Sequence, residues 1–187
     1  MVVDIFNTDK KYRVIYADPP WKYGSKQLFR EKGIRFHALE NWYDTMGISE
    51  LKALNVKRLT TDDCALFMWS TDSHIPEAIE LMKAWGFKYV TVAFTWIKVS
   101  NKGNLVKNLS PWTLKSSELC LFGTKGRMRQ YKQCHTVEQV FTAERTTHSK
   151  KPDCVYGFIE KLFGDVPRLE LFARQEYPGG DCWGNEV

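Results

Sequence analysis

Asp18-Pro19-Pro20-Trp21 follows directly on the apolar run Tyr12–Ala17. Within four consecutive residues stand a carboxylate, a carbonyl held rigid by the next proline, and an aromatic plane. Together they suit a flat ring that carries an amino group. Such an amine is a poor nucleophile, because its lone pair is delocalised into the ring. Hydrogen bonds from its two N–H groups to the Asp18 carboxylate and the Pro19 carbonyl favour a pyramidal nitrogen with an available lone pair. Trp21 can stack on the ring once the base is out of the helix. With a sulfonium methyl donor, already activated, no protein nucleophile is needed; positioning and electrostatics do most of the work. The chemistry that fits is methyl transfer to the exocyclic N6 of adenine. The plain alternative is a strand that ends in a stiff Pro-Pro turn, with Asp18 and Trp21 incidental.

Positioning these groups takes a scaffold, and the sequence outlines one. Tyr12–Ala17 reads as a short buried strand that two prolines must end. Residues 22–45 read as a long polar and aromatic loop. Ile48–Leu54 suggests a short helix and Cys64–Trp69 a second buried strand. A helix follows, capped by Asp72 or Ser73, with Pro76 in its first turn and Gly86 closing it. Its core face would carry Ile75, Ala78, Ile79, Met82 and Trp85. Phe87–Ile97 and Glu118–Phe122 read as strands, separated by a polar loop from Lys98 to Thr113. Pro152-Asp153 opens another helix that turns Val155, Phe158, Ile159 and Leu162 to one side, and Arg168–Ala173 is a last strand before a Gly-rich tail. Strands alternating with helices predict an α/β sandwich around a largely parallel sheet. Ligands then sit beyond the carboxyl ends of strands, where Asp18 and Arg174 both fall.

The 187 residues favour a single domain over 1–187. The net charge of +5 is mild, so its distribution matters more. Gly123–His135 holds Lys125, Arg127, Arg129 and Lys132 with no acid, and Lys22–Arg35 holds five cations against Glu31 alone. These are either nucleic-acid contacts or solvated loops. An odd five cysteines with no CxxC pair, and no secretory leader, predict reduced thiols in the cytoplasm. Cys134-His135 has no second pair at metal-ligand spacing, so no metal is expected. No apolar run approaches the roughly 18 residues of a membrane span.

Asp18-Pro19-Pro20-Trp21 resembles the catalytic motif of the MT-A70 family of adenine-N6 methyltransferases. Further segments resemble the family in its order: Trp42-Tyr43-Asp44-Thr45-Met46, Leu66–Thr71, Trp85-Gly86-Phe87, Trp96-Ile97-Lys98, Ser117–Leu121 with Gly123, Lys151-Pro152-Asp153 with Tyr156-Gly157, Leu169–Arg174, and Trp183-Gly184-Asn185. The resemblance runs from about Tyr12 to Glu186. It implies a Rossmann-like class I methyltransferase fold in permuted order, with the catalytic motif first and the cofactor-binding strand last. That order accounts for the lack of an early GxGxxG. It also implies S-adenosyl-L-methionine as cofactor, held by Asp4, Ile5, Asp18, Lys151, Arg174, Glu176, Asn185 and Glu186. The acceptor base would meet Tyr43, Trp96, Glu118 and Lys151. Glu186 stands where eukaryotic members have Gln and Glu176 where they have His, so the role of Glu176 departs from the family pattern. Asp4-Ile5 lies closer to Asp18 than the family's Asp-Ile pair does.

No room is left for a separate target-recognition domain, so target reading falls to Lys22–Asp44, to Lys98–Thr113, or to a partner subunit. The compact chain is more similar to bacterial and phage members, which implies DNA adenine as substrate, with RNA adenine as the alternative. The pairing common in the family implies a homodimer whose partner's basic loops help grip the nucleic acid. A catalytically inactive nucleic-acid-binding subunit, or a methylase of small molecules or proteins, remains open beside these readings.

Overall fold

The computed structural model describes residues 1–22, 45–110, 112–146 and 150–187. Seven strands form one mixed sheet: β1 Tyr12–Ala17, β2 Thr60–Ser70, β3 Lys88–Val99, β4 Ser117–Lys125, β5 Val140–Glu144, β6 Arg168–Leu171 and β7 Asp181–Trp183. Their order across the sheet is β5-β3-β4-β2-β1-β6-β7. The helices among the described residues are α1 Ile48–Ala53, α2 Ile75–Ala84 and α3 Cys154–Phe163. None is long and apolar enough to cross a membrane.

β1 is central because every other side chain meets a different apolar layer. Ile15 and Ala17 pack with Leu66 and Met68 of β2 against Leu51 of α1 and Ala78, Leu81 and Met82 of α2. Val14 and Tyr16 face the other way, with Phe67, Trp69, Phe94 and Trp96, under Val155, Ile159 and Phe163 of α3. Helices thus cover both faces, as the alternating pattern predicts.

The sheet is largely parallel, as expected: β1 pairs in parallel with β2 and β6, β3 with β5, and β6 with β7. The exception is β4, which runs antiparallel to both β2 and β3. The apolar run Glu118–Phe122 carries no information about direction, since burial on two faces is alike for either sense. β5 and β7 are also new. β5 alternates exposed and half-buried residues at the sheet edge, and β7 is only three residues long.

The helix boundaries follow local chemistry. Glu50 reaches back to accept the Gly47 N–H at 2.6 Å, which satisfies the backbone donor at the cap of α1. At α2 the cap position is His74, not Asp72 or Ser73, because Asp72–His74 makes a short 3-10 turn first. Leu81 takes the core place expected of Ile79, which is 36% exposed. Trp85 donates its indole N–H to the Leu51 carbonyl at 3.0 Å, tying the end of α2 to α1. All five cysteines are free.

Candidate active site

The sheet brings all seven of its strands to one edge. Ala17 is level with Met68 and Leu171, Leu171 with Trp183, Ser70 with Leu119, and Val99 with Glu144. Residues at or just past these points therefore share a rim: Asp18, Lys98, Glu118, Arg174 and Asn185-Glu186, joined by Lys151 through its contacts with Asp18 and Glu118. β1 is also the switch point. The chain leaves it toward β2 on one side and returns to β6 on the other, the crevice where ligands sit in open α/β sheets.

Asp18 is fixed from both sides. Its N–H reaches the Leu171 carbonyl at 3.3 Å, and Oδ2 accepts from Lys151 Nζ at 2.7 Å. Lys151 Nζ also lies 3.4 Å from Glu118 Oε2, and Lys98 donates to Glu118 Oε1. The result is an alternating row, Lys98–Glu118–Lys151–Asp18. Burial raises the Asp18 carboxyl above the usual aspartate range, and Lys151 pulls it part of the way back. Burial alone would lower the Lys151 ammonium, but the carboxylates of Asp18 and Glu118 outweigh it and its pKa is raised. Glu118 is pushed up by burial too, yet Lys151 and Lys98 win and hold it below its ordinary value. A pair of charges about 4 Å apart gains about 4 kcal/mol at an effective dielectric of 20. Desolvating each ion costs several kcal/mol, so the row adds little net stability. What it does is place a fixed ammonium against the Asp18 carboxylate.

The turn after Asp18 is stiff. The Trp21 N–H closes on the Pro19 carbonyl at 2.9 Å, and the Pro20 carbonyl accepts from Met46 at 2.9 Å. The Pro19 oxygen keeps a second lone pair for another donor. Trp21 is not a free plane. Its indole N–H donates to the Trp69 carbonyl at 3.1 Å, its ring stacks on His74 at 5.6 Å, and it is 6% exposed. Trp21 thus holds the turn after Asp18 down on the core, with little of its ring open to a base.

Trp96 is set as deeply. It is 2% exposed, packs edge-on against Trp69, and donates to the Ala143 carbonyl of β5 at 2.9 Å. Lys98, two residues on, is the group that reaches the site. Sequence reasoning placed Lys98 only within a resembling segment. Its partner Glu118 is 20 residues away, and the two meet because Trp96 pairs with Glu118 across β3 and β4. Tyr43 lies outside the described residues.

At the far end of the rim, Arg174 Nη1 lies 3.4 Å from Glu186 Oε1, and Asn185 is exposed beside it. Arg174 also acts on Asp18 through space. Phe172, just past β6, has φ 65, a left-handed conformation rare for a bulky residue and concentrated at functional sites. A Cβ on Gly184 would fall 2.1 Å from the Ala173 carbonyl, so only glycine lets β6 and β7 end this close. Val2 bridges Cys182 in parallel, which leads Asp4 and Ile5 toward the same rim. There the Asp4 carboxylate is engaged in its own turn, by the Phe6 N–H at 2.9 Å and the Asn7 amide, while Ile5 is buried. Glu176 is exposed and pairs with the Met1 amine at 3.2 Å.

The basic stretch Lys125–Lys132 is not on this rim. β4 carries Glu118 at one end and Lys125 at the other, roughly 23 Å away at ~3.3 Å per residue. Asp63 anchors that turn, accepting from the Arg127 N–H at 2.6 Å and from Gln130 at 2.9 Å. Both ends of the segment 23–44, by contrast, join at the catalytic turn, where Trp21 bridges Met46.

A set of carboxylates, an amide and three cations along one rim suits a zwitterionic amino-acid tail and vicinal hydroxyls. The MT-A70 family model matches residues 12–186. The Type II methyltransferase M.MunI of Mycoplasma sp is 38% identical over 189 residues, covering 95% of this chain and 78% of that protein. An N(6)-adenosine-methyltransferase MT-A70-like protein of Arabidopsis thaliana is 32% identical over 99% of the chain. The N(6)-adenosine-methyltransferase catalytic subunit METTL3 of Homo sapiens is 30% identical over 95% of it. The chain spans only 24% and 28% of these two relatives. A catalytic turn at the switch point and a family match along nearly the whole chain lead to one conclusion: this protein belongs to the MT-A70 family of methyltransferases.

Proposed function

We propose that the protein, acting as one domain over residues 1–187, transfers a methyl group from S-adenosyl-L-methionine to adenine N6 in DNA. The observation that carries this reading is the Asp18 carboxylate, held 2.7 Å from Lys151 at the carboxyl end of the central strand. The cofactor would supply a methyl group on positively charged sulfur. Arg174, Asn185 and Glu186 would hold it, with Asp18 and Lys151 at its reactive end and Asp4, Ile5 and Glu176 as further contacts.

Asp18 accepts one N–H of the target amine and the Pro19 carbonyl accepts the other. The two bonds turn the nitrogen lone pair out of the ring plane. Lys151 opposes the pull of burial on the Asp18 carboxyl and so favours its ionised, accepting form. As the new N–C bond forms and the donor's C–S bond breaks, nitrogen holds a surplus proton, and Asp18 can take it and pass it to solvent. Glu118 fixes Lys151 from behind and would face the acceptor base, toward which the resemblance also assigns Tyr43.

DNA is favoured over RNA because the compact chain fits the bacterial relative at 78% of its length. RNA methylation is the second reading, supported by the N(6)-adenosine-methyltransferase relatives. An inactive binding subunit is the third, and the intact Asp18 row argues against it. A cytoplasmic homodimer completes the proposal. In it, the far-edge turn Lys125–Lys132 of one copy would serve the nucleic acid at the other copy's site, and sedimentation showing a fully active monomer would refute that arrangement. The test of activity is labelled donor with DNA and with RNA, comparing wild type with Asp18→Ala. Transfer to DNA by the wild type alone, with cofactor binding kept in the variant, supports the reading; equal transfer by both proteins overturns it.

A further inference from the structure

The segment between β3 and β4 is built as a projection. At its root, the Lys98 N–H donates to the Ser116 carbonyl at 2.8 Å and the Val106 N–H to the Lys98 carbonyl at 2.9 Å. At its neck, Asn108 and Lys115 exchange backbone hydrogen bonds of 2.8 and 2.9 Å, and Arg145 donates to the Asn108 side chain at 3.1 Å. The tip beyond the neck is apolar and open to water. Trp112 is 95% exposed, Leu109 75% and Leu114 56%. A tryptophan that is all but fully exposed offers both faces of its indole, unlike Trp21 and Trp96.

Charge decides what such a tip can meet. No acid lies between Lys98 and Glu118, and Lys102 and Lys107 are exposed on the projection. Lys115 is paired with Asp72 at 3.4 Å. Aromatic faces among lysines fit a polyanion that carries flat rings. A second copy docking tip to tip would set the same lysines against each other, since a two-fold contact apposes identical patches. The root is also part of the site: Lys98 and Glu118 end the charged row that reaches Asp18.

We propose that the tip of the projection is a nucleobase-contacting element, in which Trp112 stacks on bases beside the target adenine while Lys102 and Lys107 meet the flanking phosphates. The proposal rests on the nucleic-acid reading of the site above, and gives the rim a second, outer contact that the catalytic motif does not supply.

The test is the binding of a short fluorescein-labelled single-stranded oligonucleotide, followed by anisotropy, for wild type, Trp112→Ala and Trp112→Phe. The alanine variant should bind roughly 10-fold more weakly, the size of one lost base stack, with phenylalanine recovering most of the loss. Thermal melting should be unchanged, because Trp112 packs on nothing. Equal affinity of all three proteins overturns the proposal. So does a loss that accompanies dissociation of a dimer on sedimentation, which would mark the tip as an interface between copies. If binding falls as expected while the wild type methylates no nucleic acid, the proposed reaction fails and the contact stands.

Discussion

The Lys151 ammonium lies 2.7 Å from the Asp18 carboxylate, though 133 residues separate them in the chain. Lys151 lowers the carboxyl that burial raises, so its removal frees the full effect of burial. In Lys151→Met the Asp18 pKa climbs further and the acid limb of the kcat/KM profile moves to higher pH. The same change removes the cation shared by Asp18 and Glu118, leaving Glu118 to Lys98, a loss of about 3–5 kcal/mol for a broken buried pair. A pH-rate series and urea unfolding on one preparation measure both effects. An unmoved acid limb would detach Lys151 from Asp18.

Trp21 tests whether the motif's aromatic residue binds substrate or holds the turn. Being 6% exposed and bonded to Trp69, it predicts a loss of about 3–5 kcal/mol in Trp21→Ala and about 1 kcal/mol in Trp21→Phe. A base-stacking role would instead raise KM in the alanine variant and leave unfolding unchanged.

Glu170 of β6 accepts the Tyr156 hydroxyl at 2.7 Å, and Tyr156 stacks on Tyr177 at 3.8 Å. Burial pushes the Glu170 carboxyl up to about 7. A carboxyl raised in the folded state favours folding most when protonated. Its contribution is whole below the unfolded value of 4.5 and is lost as pH rises through about 7. Glu170→Gln should therefore flatten the fall in stability between pH 5 and 8, by at most a few kcal/mol. Melting temperatures at several pH values read this directly, and parallel curves for the two proteins would contradict it.

The two basic regions separate by position. Lys102 and Lys107 lie on the projection that springs from the catalytic rim, while Lys125, Arg127 and Arg129 lie past the opposite end of β4. Replacing Lys102 and Lys107 by Gln should flatten the salt dependence of DNA binding by about 1 to 2 in log–log slope. Replacing the other three, which in the proposed dimer serve only the partner copy's site, should change it less. The reverse ranking would make the far edge the main contact with nucleic acid.

Much of the site was legible because it is local. Asp18, its prolines and the strand before them are contiguous, and Lys151 and Glu118 stood in resembling segments. What was hidden depends on pairing. Lys98 becomes a site residue only when β3 lies against β4 with Trp96 opposite Glu118. The direction of β4 set Lys125 far from Asp18, and no local pattern carries direction. Trp21 and Trp96 look alike to composition whether buried or free; the carbonyls of Trp69 and Ala143 that bind them are distant in sequence. Along α2, Ala78, Met82 and Trp85 keep the core places expected of them, and Leu81 rather than Ile79 joins them, because the spacing 78, 81, 82, 85 is one helical stripe.

The central claim is that Asp18 and Pro19 present adenine N6 to a methyl donor. Its most direct measurement is incubation of DNA with deuterium-labelled S-adenosyl-L-methionine, digestion to nucleosides, and mass spectrometry. The account predicts label in N6-methyl-2′-deoxyadenosine with wild type and none with Asp18→Ala. Label on a cytosine, or on adenine to the same extent with the variant, would contradict it.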